Sequence, residues 1–120
     1  MKFTIPGEFT DLNTYSTAER SHRLVAAKIK RSETDRVVDE CIIQKVHKAL
    51  SQPLVWRFRW YCKNKRKDPD GISFGAKFIL DGLQKAGVID NDGWKQVSAI
   101  HHTFHVDVDN PRVHISATVV

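Results

Sequence analysis

Residues 54–62 read Leu54-Val55-Trp56-Arg57-Phe58-Arg59-Trp60-Tyr61-Cys62, and this stretch decides the class of fold. Side chains alternate across a β-strand, so Leu54, Trp56, Phe58, Trp60 and Cys62 share one face and Val55, Arg57, Arg59 and Tyr61 the other. The first set belongs in a core. The second turns two arginines and a tyrosine toward whatever meets the open side of a sheet. Pro53 marks the start of the strand, because proline donates no ladder hydrogen bond.

The other elements fall on either side. Lys2–Pro6 reads as a short strand ended by Pro6-Gly7. Ser16 with Glu19 three positions later has the spacing of a helix-starting capping box, and Ser32 with Asp35 repeats that spacing. Val38, Cys41, Ile42, Val46 and Ala49 recur at helical spacing, as one kinked helix or two. After residue 71, Ile72, Phe78, Ile79, Leu83 and Ala86 supply the apolar positions of another helix, with Gly87 suited to follow its end. Residues 88–94 are turn-rich. Val97–Val106 and Arg112–Val120 read as a closing hairpin around the Asn110-Pro111 turn. The expectation is one α+β domain over residues 1–120, with a mixed or antiparallel sheet against helices, because βαβ units are too few for a doubly wound fold.

Composition narrows the function. The 120 residues are 41% hydrophobic, enough for one core, and carry a formal net charge of +5. Arg57, Arg59, Lys63, Lys65, Arg66 and Lys67 place six of the 19 Lys and Arg in eleven positions. A polyanionic partner suits such a cluster. Cys41 and Cys62 have no zinc spacing and read as buried thiols of a reducing compartment. The amino-terminal residues lack the apolar run of a signal peptide, and no stretch approaches the ~18 apolar residues of a membrane span. Cytoplasmic location, with no membrane partner, is the expectation.

Two carboxylates, Asp68 and Asp70, adjoin the densest positive charge. At i and i+2 in a turn they can converge on one ion. Asp90 and Asp92 repeat that spacing after the helix, and Asp81 lies on it. Hard divalent cations take oxygen ligands, Mg²⁺ with one or two carboxylates plus phosphates and water. Carboxylates beside cations therefore suit metal-assisted phosphodiester hydrolysis. A plainer account pairs Asp68 and Asp70 with Lys65 and Arg66, pairs Asp81 with Lys77 or Lys85, and makes Asp90 and Asp92 turn formers. EF-hand binding is excluded: Gly71 or Gly93 at loop position six puts Arg66 or Val88 at position one. His101, His102 and His105 have no zinc-site spacing. No P-loop, nucleophile elbow or dinucleotide fingerprint is present.

The stretch KRKDPDGISFGAKFILDGLQKAGVIDNDGW, residues 65–94, resembles the RusA-type crossover junction endodeoxyribonucleases, the small Holliday junction resolvases of bacteria and their phages. FTIPGEF with the following LN.Y, and the closing NPRVHI, resemble that family too. The resemblance implies a RusA-like homodimer in the bacterial or phage-infected cell that nicks opposed strands of a four-way DNA junction with Mg²⁺ or Mn²⁺. It implies that Asp68, Asp70 and Asp92 hold the metal and that Lys77 assists at the phosphate. Asp81 and Asp90 are auxiliary, and Asn13 lies at the DNA or the site's edge. Lys63, Lys65, Arg66, Lys67, Arg57 and Arg59 are the expected phosphate contacts. The family's D-x-D-N asparagine is Gly71 here, which implies weakened or altered rather than absent activity. A non-catalytic nucleic-acid-binding module with an acidic loop, or a structural subunit, are the alternatives from other classes.

Overall fold

The computed structural model describes residues 1–120. In chain order its elements are β1 (Lys2–Pro6), α1 (Leu12–Ser21), α2 (Arg23–Ile43), β2 (Leu54–Cys62), α3 (Pro69–Ser73), α4 (Gly75–Lys85), β3 (Val97–Val106) and β4 (Arg112–Val119). They form an α+β domain around one four-stranded mixed sheet of order β1-β4-β2-β3. β2 pairs parallel with β3 and antiparallel with β4, which pairs antiparallel with β1.

The alternation in β2 holds along its length. Leu54, Trp56, Phe58, Trp60 and Cys62 are buried. They meet Phe3 and Ile5 of β1, Val113, Ile115 and Ala117 of β4, Val37 and Cys41 of α2, and the apolar face of α4 in one cluster. Helices thus cover one face of the sheet and leave the other open. Cys41 and Cys62 are free buried thiols, and burial, with the Glu40 charge adding, pushes the Cys41 thiol up to about 11. Gly87 follows α4 at φ 78°, the left-handed geometry that ends a helix.

Three sequence expectations are corrected. First, the closing strands do not form a hairpin, because β2 lies between β3 and β4. A hairpin signal is local, whereas β2 buries five large side chains only when it is central. Second, Ser16 sits inside α1, and Asp11 caps that helix, in extended conformation, with its carboxylate accepting from the Thr14 N–H at 3.4 Å and the Thr14 hydroxyl at 2.7 Å. Third, Ser32 starts nothing. α2 runs unbroken through it, and the break between the first two helices falls at His22, φ −146°. The apolar stripe is only partly the buried face: Cys41 is in the core, Val37 rather than Val38 joins it, Ile42 is exposed, α2 ends at Ile43, and Val46 and Ala49 pack against the core from the following loop.

The two outer edges of the sheet differ. On β1, the Gln44 side-chain amide donates to the Thr4 carbonyl at 2.6 Å and accepts from the Thr4 N–H at 3.4 Å, standing in for a neighbouring strand. The outer edge of β3 has no strand beside it. On its helix-side face Ile100, Phe104 and Val106 remain 41%, 37% and 45% exposed, because the helices do not reach over it.

Between them His102 stacks on Phe58 at 5.3 Å and accepts a 2.9 Å hydrogen bond at Nδ1 from the Trp60 indole N–H. The indole only donates, so Nδ1 must stay unprotonated. Burial, with His101 adding, pushes the His102 pKa down. His114 is pushed down in the same way, by burial and then by the charges of Arg112 and Arg59. A histidine whose folded pKa is depressed takes up its proton more readily when unfolded, so stability is full above the ordinary histidine range and falls as pH drops through it. The melting temperature should therefore decline between about pH 7.5 and pH 5.5, the span around an ordinary histidine pKa. His102→Gln, which keeps an acceptor for Trp60, should flatten that decline in calorimetric scans. A decline of unchanged depth in the variant would remove His102 as a cause.

Candidate metal and nucleic-acid site

The loop from Lys63 to Asp68 leaves the carboxyl end of β2 and enters α3 through Pro69, a residue suited to the first helical position. Asp68 occupies the cap position in extended conformation but makes no capping hydrogen bond, so its carboxylate is free to turn outward. Asp70 accepts from the Gly71 N–H at 2.9 Å through Oδ1. Neither aspartate lies in an ion pair, although four cations stand in the five preceding positions 63–67. Lys67 instead reaches Glu8 at 3.6 Å and Asp11 at 3.9 Å. The pairing of Asp68 and Asp70 with Lys65 and Arg66 that the plainer account requires is not formed.

The amino-terminal segment forms the other wall. Arg36 of α2 donates to the carbonyls of Pro6 and Glu8, each at 3.0 Å, and its guanidinium lies 3.9 Å above the Phe9 ring. Glu33 accepts from the Thr10 N–H at 2.6 Å. These contacts fix residues 6–11 against α2 and set Asp11 opposite the acidic loop. Asp11, Asn13, Arg66, Lys67, Asp68 and Asp70 then line one cleft. Partial burial pushes the Asp11 carboxyl up, but the Thr14 hydrogen bonds and the Lys67 charge outweigh it and hold the group below its ordinary value. Asp11 was not among the residues singled out from sequence. Its signal, an aspartate three residues before a threonine at a helix start, is the same cap spacing that was credited to Ser16.

The remaining aspartates lie elsewhere. α4 separates Asp68 and Asp70, at the start of α3, from the loop holding Asp90 and Asp92, and its 11 residues span about 16 Å at ~1.5 Å each. Asp90 pairs with Lys48 at 3.1 Å, on the side of the molecule where β2 begins. Asp92 is half-buried and makes no ion pair, two residues before Trp94, itself 95% exposed. Lys77 meets Asp81 at 3.4 Å along one face of α4, as the i,i+4 spacing suggests, and the second Asp81 oxygen is buried without a partner. Within one chain, then, Asp68 and Asp70 are brought together with Asp11 and Asn13, and Asp92 is not. No three His, Cys, Asp or Glu side chains converge as a ready set of metal ligands. The donor chemistry still fits a hard cation, which takes one or two carboxylates and leaves its other positions to water and phosphate.

The expected phosphate contacts divide into two groups. Lys63, Lys65, Arg66 and Lys67 stand on the loop beside the cleft, and Arg57 and Arg59 are exposed on the open face of the sheet. No helix is long and apolar enough to cross a membrane. The chain matches no protein-family model and no curated protein sequence.

Proposed function

We propose that the chain is a metal-dependent endodeoxyribonuclease that resolves four-way DNA junctions, acting as a homodimer with Mg²⁺ or Mn²⁺. One observation carries this reading. Asp68 and Asp70 remain free of ion pairs beside the densest positive charge of the chain, in a cleft that also holds Asp11. Carboxylates needed only for charge balance would pair with those neighbours. Asp68 and Asp70 would hold the cation, whose chemistry is to polarise a phosphoryl oxygen and acidify a bound water. Lys63, Lys65 and Arg66 hold the DNA backbone beside the cleft. Lys77 and Asp92 belong to the reading on the resemblance described above, and a second copy of the chain is where an Asp92 for this cleft would come from. The deciding experiment is a gel comparing a synthetic four-way junction with linear duplex across a Mg²⁺ titration. Paired nicks in the junction alone support the reading, and no cleavage with any divalent metal overturns it. A second reading, a DNA-binding module without chemistry, rests on the unpaired cations Lys63, Lys65 and Arg66 alone, and the same gel separates it.

The uncovered β3 edge, with Ile100, Phe104 and Val106 beside it, is a surface a second copy can cover, and closed twofold dimers are the commonest soluble assembly. Sedimentation should show a dimer at micromolar concentration, and Phe104→Arg should shift it toward monomer. A parent monomer with and without junction would remove the dimer from the proposal.

Gly71 offers a gain-of-function test. Its φ is not positive, and an added Cβ would meet only Asp11 Cβ at 4.0 Å, an ordinary contact. An asparagine therefore fits and projects toward the cleft, where its amide can orient a carboxylate. Support of that kind is typically worth about 10–100-fold in metal affinity or activity. The helical gain over glycine is under about 1 kcal/mol. Gly71→Asn should raise cleavage at limiting Mg²⁺ by about tenfold or more with little change in melting temperature. Equal cleavage across the titration would mean that position 71 does not support the site.

A further inference from the structure

The face of the sheet turned away from the helices is cationic and histidine-rich. Its register sets Arg57 of β2 between His101 of β3 and Ser116 of β4, Arg59 between Thr103 and His114, and Tyr61 between His105 and Arg112. No carboxylate side chain projects from this face, because the alternating positions of all four strands carry none. Asp107, at one end, is taken by Arg112 at 2.7 Å. Arg57 donates to the Thr118 hydroxyl at 3.0 Å and has no acidic partner, nor has Arg59. Successive same-face residues of a strand stand about 6.6 Å apart, so Arg57, Arg59 and Tyr61 form a row. That row runs toward the carboxyl end of β2 and continues into Lys63, Lys65 and Arg66, beside the acidic cleft. Tyr61, Arg112, Lys67 and Ile72 line one further pocket, which joins this end of the face to the loop.

We infer that the open face of the sheet is a docking surface for the phosphodiester backbone of duplex DNA, leading an arm of the substrate to the acidic cleft. Charge complementarity names the occupant: a face with unpaired arginines and no acid suits a continuous polyanion. The aromatic arrangement favours backbone contact over stacking on unpaired bases. His105 stacks on one side of Tyr61 at 4.8 Å and the Arg112 guanidinium lies 4.0 Å from the same ring, so the tyrosine is occupied by its neighbours. His114 is likewise committed, accepting from Arg112 Nε at 3.2 Å through Nε2 and meeting the Thr4 hydroxyl at 2.6 Å through Nδ1. Arg59 has no side-chain partner and Arg57 only the neutral Thr118 hydroxyl, so both keep N–H groups for a phosphate, with the exposed Lys2 on the same face. The inference rests on the DNA-facing half of the proposed function and not on its chemistry.

The test is binding of a fluorescent 20-base-pair linear duplex, without divalent metal, over a salt titration. Arg57→Gln/Arg59→Gln should weaken binding by about tenfold or more at low salt and make the log–log salt slope shallower by about 1.8, at ~0.9 per phosphate contact. Lys28→Gln/Arg31→Gln removes two exposed charges from α2 and should leave the slope nearly unchanged. Thr103→Glu, an exposed position in the middle of the face, should weaken binding without removing any arginine and serves if the double variant fails to fold. Parent affinity and slope in both face variants, equal loss in the α2 variant, or preference for a single strand of the same length would overturn the inference. Duplex binding that depends on Arg57 and Arg59 without any metal-dependent cleavage would sink the nuclease and leave the docking face standing. Junction cleavage and duplex binding untouched by the face variants would do the reverse.

Discussion

Asp70→Asn should lower metal-dependent cleavage of a synthetic four-way junction by about 100-fold or more while leaving junction binding equal or tighter. The magnitude follows because residues that merely support metal ligands already cost about 10–100-fold when removed, and Asp70 is proposed as a ligand itself. The direction of the binding effect follows from charge: a carboxylate beside the docked phosphates repels them, and the amide does not. Folding should be untouched. Asp70 accepts from the Gly71 N–H at 2.9 Å, a contact the amide oxygen can keep, and it has no ion pair to lose. Cleavage by the variant at the parent rate would show that Asp70 holds no catalytic cation. Loss of binding together with cleavage would show that its role is in the fold of the loop. Asp92→Asn beside it separates two geometries. A comparable loss in that variant requires the carboxylate from beyond α4, which one chain does not bring to the cleft.

The second large effect concerns stability. Gly82→Ala should lower the melting temperature by about 5–10 °C although alanine is the better helix former by about 1 kcal/mol. Gly82 is where α4 crosses α2. A Cβ built there overlaps Val37 Cβ, falls 2.6 Å from Val37 Cγ1 and lies 3.1 Å from the Thr34 carbonyl oxygen. The Cβ of a β-branched residue cannot swing away as the tip of a long side chain can, so the helices must separate. Overpacking of this kind typically costs about 1–3 kcal/mol before any loss of neighbouring contacts. The Lys85–Asp35 pair at 2.6 Å, one turn further along the same crossing, would be strained by that separation. Val37→Gly removes both side-chain atoms, Cβ and Cγ1, that the new methyl would meet. The double variant should therefore be more stable than the sum of the two single changes, by about 1–2 kcal/mol of coupling. Additive losses in thermal scans would mean that the crossing is loose enough to accept the methyl without contact.

Residues with a strong local period were readable. The β2 alternation placed five core side chains and sent Arg57 and Arg59 to the open face, because a pleated strand has only two sides. Lys2–Pro6 and the turn-rich stretch around Asp90 and Asp92 were legible for the same local reason. Helix starts were less so. Several Ser, Asp and Thr residues of the first 35 have capping spacing, and only the clamp of Arg36 and Glu33 on residues 6–10 shows that Asp11 is where the helix begins.

The acidic pair Asp68 and Asp70, beside its cations, was visible in the chain because all of it lies within eight residues. Its surroundings were only partly so: the resemblance put Asn13 at the site's edge, whereas Asp11 arrives from more than 50 positions away through contacts that no spacing rule encodes. Sequence by itself determined the class of fold, the buried face of β2 and the concentration of opposite charges between Lys63 and Asp70. Tertiary structure alone decided that β2 separates β3 from β4, that Gly82 must be small and that Asp92 lies beyond the far end of α4. The physical reason is range. Side-chain period, turn chemistry and caps act over a few residues, whereas strand order and helix crossing are set by which apolar faces can be buried together across the whole chain.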